Sequence, residues 1–199
     1  AAMKLLYALS ITLCTAVLLK YCYGRSQNKV ASFLAVVIFL AVDWQQLEIV
    51  RPQLAGLMGF VFLLTYLTKL RGRRKDYGIV FSLFVLWANL HGSFPVGLVL
   101  LACFSLGRAI DVIRRTKRIG SPIDDRRTRH YVVLTQLAAV AVLVNPYGLG
   151  LYAEVLTFSN SPNLSDFVEW KPLELRMIQG QIAAVVAVVL MMVYRVSPR

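Results

Sequence analysis

Seven apolar stretches, at 5–21, 30–42, 53–70, 77–90, 94–113, 131–144 and 178–194, are separated by short polar connections and limit this chain more than any other feature. Runs of this length are too long for strands and read as helices with apolar surfaces on all sides. With 58% of 199 residues hydrophobic and only 16% charged, there is too little polar surface to cover such helices in water. The expected fold is therefore all-α: a polytopic transmembrane helix bundle of about seven spans, a single domain over 1–199, with an external loop at 159–176.

The charges orient the bundle. If the connection around Gly24 to Lys29 is cytoplasmic, that side also collects "KLRGRRKD", "RRTKRIGSPIDDRRTRH" and the terminal "YRVSPR". It then holds 18 of the 22 basic residues, all but Lys4, Arg51, Lys171 and Arg176. The reverse orientation breaks the positive-inside rule at every loop, so the C-terminus is expected in the cytoplasm. A net charge of +12 invites a nucleic-acid reading, but short basic clusters between apolar runs are what cytoplasmic loops contain. Membrane lipids and other membrane subunits are the expected partners, without nucleic acid. Seven crossings then start outside, whereas "MKLLYALSITLCTAVLLK" reads as a signal anchor with Lys4 inside. A preceding span would repair this, so the chain is expected to be a piece of a longer one. Cys14, Cys22 and Cys103 are isolated and odd in number, which gives no disulfide framework and no metal site.

Two basic loops flank residues 77–106, and an even number of crossings must join them. "ANLHGSF" is therefore an outward turn. The three outward-going stretches stop after 13 or 14 apolar residues, at Val42 before "DWQQLE", at Leu90 within "ANLHGSF" and at Val144 before "NPYG". At 1.5 Å per residue these runs cover only about 20 Å of a hydrocarbon core about 30 Å thick. Polar backbone at that depth must be packed in protein or line water, so the three knots are expected to line one outward-facing cavity. The alternative is that the helices run on past Asp43 and Asn145, with Trp44, Trp87 and Tyr147 in the interfacial aromatic belt.

The candidate site residues follow from this geometry. Pro52 in "IVRPQ" suits a first helical position and puts Arg51 at the cap, where guanidinium and helix dipole favour an anion such as a phosphate. In "HGSFP", Ser93 is a candidate N-cap. Asn89 and His91 bracket the turn as hydrogen-bonding groups, and His91 as an acid or base. Asn145 and Tyr147 are either cavity groups or a helix stop ahead of an interfacial segment, "GLYAEVLTF". Asp166, Glu169 and Trp170 combine carboxylates and an indole, a pairing that holds sugars.

In this order, "VRPQL", "WANLHGSF", "NPYGLGLY" and "VEW" resemble bacterial multi-span proteins related to the GT-C glycosyltransferases, over residues 43–170. The resemblance implies a polyprenyl-phosphate-linked sugar as donor and action on the outer face of the bacterial inner membrane. It implies Arg51 facing the lipid phosphate, His91 and Glu169 near the reacting sugar, and Asp43 as the first external acid. The residues themselves indicate no metal or pigment, so the lipid-phosphate donor is the one bound group expected. The class carries an essential acid in its first external loop, and its counterpart is not found here. A partial or degenerate member is therefore expected, glycosyltransferase-like if active. The competing expectation is a non-enzymatic accessory subunit scaffolding a respiratory or photosynthetic complex. A transporter or flippase ranks last because the mid-span positions are almost free of charge.

Overall fold

The computed structural model describes residues 2–44, 47, 53–158 and 174–196. Among them it contains helices and no strand: α1 (Ala2–Ser26), α2 (Lys29–Val42), α3 (Gln53–Thr68), α4 (Lys75–Leu90), α5 (Phe94–Thr116), α6 (Ser121–Asp124), α7 (Arg126–Val142), α8 (Gly150–Phe158) and α9 (Ile178–Val196). Two of these, Met3–Ser26 and Phe94–Thr116, are long and apolar enough to cross a bilayer, while Lys29–Val42, Gln53–Thr68 and Ile178–Met192 are shorter apolar helices. All seven apolar stretches are helical. The chain divides into two compact units, Ala1–Arg51 with Phe158–Arg199, and Pro52–Thr157.

In the first unit α1 and α2 form a hairpin, and α9 packs on α2. The turn is built by Gln27 in the left-handed region (φ 53) and by Asn28, which caps α2 by accepting the Ala31 N–H at 3.1 Å. Ser26 and Ser32 join hydroxyls across the hairpin at 3.0 Å. The flank of α1 carrying Met3, Leu5, Leu6, Leu9 and Leu13 is exposed, each residue by more than half.

The second unit is a helical bundle in which α3 and α7 each pack against both α4 and α5. Its centre is the indole of Trp87, 2% exposed. A Cβ at Gly59 of α3 would stand 2.7 Å from that ring, and one at Gly97 of α5 would stand 2.6 Å from it and 2.9 Å from Phe84. Glycine at these two positions lets α3 and α5 close on the aromatic pair, the same device by which small residues draw helices together where water provides no hydrophobic drive. Phe84, Phe94, Leu63, Leu67, Leu101 and Leu134 fill the space around it. Trp87 is thus a core residue and does not belong to an interfacial belt, whereas Trp44 and Tyr147 are exposed. The outer flanks are also apolar: Leu86, Val99, Leu106 and Val140 are each more than half exposed.

The three helices expected to run outward end near the expected positions. Asp43 closes α2 and His91 closes α4, while α7 stops at Val142, two residues early. None of the three runs through its polar residues as one helix. After α7, Asn145–Gly148 forms a turn, with Gly148 N–H on the Asn145 carbonyl at 3.2 Å and Gly148 at φ +51. The segment "GLYAEVLTF" then folds back as α8. The Tyr152 hydroxyl donates to the Ala139 carbonyl at 2.8 Å, and its ring meets Phe94 edge-on at 5.4 Å.

Replacing Gly97 with Ala should lower the stability of the detergent-solubilised protein by about 1–3 kcal/mol, because the new methyl overpacks the Trp87 contact. Gly107→Ala, in the same helix with nothing within 4 Å of its Cβ position, should be neutral or stabilise by up to about 1 kcal/mol. Thermal unfolding of the two variants side by side measures the difference.

Candidate functional site

The turn between α4 and α5 gathers a chain of three polar side chains. The Trp87 indole N–H donates to Ser93 Oγ at 3.0 Å, and Ser93 Oγ lies 2.8 Å from His91 Nδ1. Because the indole can only donate, the serine hydroxyl directs its own proton to His91. The Ser93 backbone N–H also donates to His91 Nδ1, at 3.2 Å. Two donors on Nδ1 make it the acceptor, so the neutral ring carries its proton on Nε2. Burial lowers the His91 pKa below its ordinary value, which keeps the imidazole neutral at pH 7. Gly56 of α3 makes room for the pair, since a Cβ there would lie 3.1 Å from His91 Nδ1 and closer still to Ser93 Oγ. Nε2 has no partner among the described residues. His91 is therefore held as a hydrogen-bond donor, half-buried, and its arrangement does not suit a base.

Ser93 stands at the N-cap position of α5, with Pro95 in the first turn, but its hydroxyl makes no capping bond. The indole and the imidazole hold it instead.

The other turn residues are committed to backbone. Asn89 Nδ2 donates to the Val85 carbonyl at 2.7 Å and to the Val144 carbonyl at 2.8 Å, tying the end of α4 to the end of α7. This brings two of the three expected knots together. Asn145 Nδ2 bonds the carbonyls of Val142 and Gly148, while its Oδ1 accepts the Tyr147 N–H at 2.7 Å. Of the two readings of "NPYG", the helix stop describes these contacts. Tyr147 is exposed. Asp43 lies half-buried in the first unit, its N–H on the Phe39 carbonyl at 3.0 Å. Arg51, Glu169 and Trp170 lie outside the described residues, as does Asp166.

At the opposite end of the second unit the structure shows a cluster that sequence reading passed over. Asp76, 2% exposed, accepts from the Tyr66 hydroxyl at 2.6 Å, from the Arg73 N–H at 2.7 Å and from His130 Nε2 at 3.1 Å. A carboxylate only accepts, so His130 donates through Nε2, while its Nδ1 lies 2.9 Å from the Tyr77 hydroxyl. Burial alone would raise the Asp76 carboxyl, but the bonds from Tyr66, Arg73 and His130 outweigh it and hold the group below its ordinary value. Nearby, Arg108 grips Asp125 with two bonds, 3.0 and 2.8 Å. The Thr128 N–H and hydroxyl also donate to Asp125, which caps α7. Arg108 foremost, with Thr128 assisting against burial, keeps the Asp125 carboxyl well below the usual carboxylate range. The signal in the sequence was slight: Asp76 is the one acid in "KLRGRRKD", and His130 is one of only two histidines.

Comparison with known proteins finds no family model, no curated protein and no solved structure that matches this chain.

Asp76→Asn should cost about 1–3 kcal/mol of stability, since the amide presents its own N–H groups to donors and leaves one of Tyr66, the Arg73 N–H or His130 without an acceptor. Asp125 has a lowered folded pKa, so its contribution is complete above the unfolded value near 3.8 and is lost as pH falls through the folded pKa. The melting-temperature gap between wild type and Asp125→Asn should be constant above about pH 5 and shrink below about pH 4.

Proposed function

We propose that the chain is a seven-span protein of the bacterial inner membrane, its C-terminus in the cytoplasm, forming the core of a GT-C-like glycosyltransferase that holds a lipid-phosphate-linked sugar on the outward side. The exposed apolar flanks of both units, together with the clustering of basic residues in the short connections between apolar runs, support the membrane reading. The observation that carries the site is the Trp87–Ser93–His91 chain, which orients a neutral imidazole and leaves its Nε2–H as a donor.

In transfer from such a donor, an acceptor hydroxyl attacks the anomeric carbon while the bond from that carbon to the phosphate oxygen breaks. Negative charge grows on the departing phosphate. A preorganised N–H donor stabilises that charge more in the transition state than in the ground state. His91 has this role in the proposal, and the resemblance of the sequence assigns a lipid phosphate to Arg51 as well. The proton of the acceptor hydroxyl then goes to a carboxylate, for which Asp43 and Glu169 are the candidates. Asn89, Ser93, Asn145 and Tyr147 shape the surrounding turns, and Trp170 offers a stacking face for the sugar. The commitment of Asn89 and Asn145 to backbone carbonyls favours a second reading, in which these turns are structural and the chain is an accessory subunit of a larger membrane complex.

A conservative variant separates the two. His91→Asn keeps an acceptor for Ser93 where Nδ1 stood and removes the distal donor. With the purified protein in lipid nanodiscs and undecaprenyl phosphate as probe, wild type should bind the lipid, and His91→Asn should bind it about tenfold more weakly with an unchanged melting temperature. No binding by wild type, or equal binding by both proteins, supports the accessory-subunit reading instead.

A further inference from the structure

The basic end of the second unit holds an open cavity of about 470 Å³ between the α3–α4 connection and the start of α7, lined by Leu70, Arg71, Gly72, Arg126, Arg127 and His130. We propose that this cavity is a binding site for a phosphate group, separate from the outward turn and independent of the reaction assigned there.

The argument rests on where the charges are committed. Arg71 and Arg126 have no hydrogen-bond or ion-pair partner among the described residues, and both are exposed. Arg127 reaches the Leu70 carbonyl at 3.4 Å in the cavity wall, and its guanidinium lies 5.9 Å from the Tyr131 ring on the side of a second recess. Of the nearby acids, Asp124 is exposed and makes no ion pair with these arginines among the described residues, and two others are engaged elsewhere. Asp76 sits behind His130, saturated by Tyr66, the Arg73 N–H and His130 itself. Asp125 is held by Arg108 and Thr128. Three arginines therefore line one recess, Arg127 shared with its neighbour, while the buried carboxylate of Asp76 and the capping carboxylate of Asp125 beside it are already satisfied, and planar guanidinium groups match phosphate oxygens in geometry as well as charge.

A second recess, about 530 Å³ and also basic, shows the contrast. Its Arg108 is bound to Asp125, and the carboxylate of Asp111 stands in its wall. That arrangement disfavours an anion. Charges serving only to orient the chain in a membrane need a side and a number. They do not need a shared cavity with its acids withdrawn.

The phosphate has two possible sources, an anionic lipid headgroup or free phosphate, and the experiment has an arm for each. Arg71→Gln with Arg126→Gln removes two cavity cations. Arg114→Gln with Lys117→Gln removes the same charge from exposed positions outside the cavity and serves as control. In the first arm, native mass spectrometry reads retention of phosphatidylglycerol against phosphatidylcholine by the full chain released from detergent. In the second, titration calorimetry reads binding of inorganic phosphate. The cavity variant should retain phosphatidylglycerol about tenfold less than wild type, while the control stays within about twofold. A phosphate heat that is lost in the cavity variant and kept in the control marks free phosphate as the ligand. If neither arm separates the two double variants, the cavity is not a phosphate site.

Discussion

The approach of the Trp87 ring to two glycine backbones underlies the arrangement of the second unit. Gly59 and Gly97 belong to helices on either side of α4, and the ring touches both where a side chain would stand. Moving either helix outward by the width of a methyl group would withdraw the partners that hold the indole in place. The indole N–H would then lose its fixed alignment on Ser93, and the Ser93 hydroxyl would no longer be directed at His91. Packing and polar geometry are thus linked here, since the contact at the centre holds the indole that aligns the Ser93 hydroxyl on His91, beside the Ser93 N–H that also donates to Nδ1. In a lipid surrounding, where helix association gains nothing from excluding water, contacts of this kind and a few buried hydrogen bonds must supply the cohesion.

The same helices present different chemistry at their two ends. At the α4–α5 turn the polar groups are neutral and short-range: an indole, a hydroxyl, an imidazole and two amides, mostly bonded to backbone or to one another. At the other end buried Asp76 and partly buried Asp125 are enclosed by donors, and while Arg108 is itself partly buried, Arg71, Arg126 and Arg127 are exposed. Each acid fastens two segments that are distant in sequence: Asp76 links α4 to α7 through His130, and Asp125 links α7 to α5 through Arg108. The acids therefore stiffen this end without cancelling its positive character.

The helices were legible because apolar runs of this length allow few other structures, and the ends of α2 at Val42 and α4 at Leu90 coincide with the first polar residue after each run. The start of α7 was not legible from hydropathy. The helix begins at Arg126, five residues before the apolar run, because Asp125 caps it and arginines are good helix formers whose charge hides them from an apolar pattern. Within the turn, the sequence showed which residues gather but not how they bond. Ser93 stands where a cap belongs, yet its hydroxyl is taken by Trp87 and His91. The Asp76–His130 pair was least visible, since its members are 54 positions apart and each lies within a basic run that reads as an orienting charge cluster. Pairing across such a distance is a property of helix packing, which no local pattern encodes.

The two histidines show why buried polar clusters differ in what they can do. Both rings have a nitrogen assigned by its neighbours, and both meet a hydroxyl at Nδ1, Ser93 for His91 and Tyr77 for His130. The difference lies at Nε2. In His130 that proton is directed at Asp76, 3.1 Å away, and the ring is 7% exposed, so every polar group is satisfied within the fold. In His91 the corresponding proton has no acceptor among the described residues, and the ring is only half-buried. An imidazole bound at both nitrogens works as a tie between helices. One oriented at Nδ1 and open at Nε2 has been positioned without being used up, and a pre-aimed donor of that kind suits a ligand oxygen. Of the two, His91 is the ring with a donor to spare, even though His130 sits in the more elaborate network.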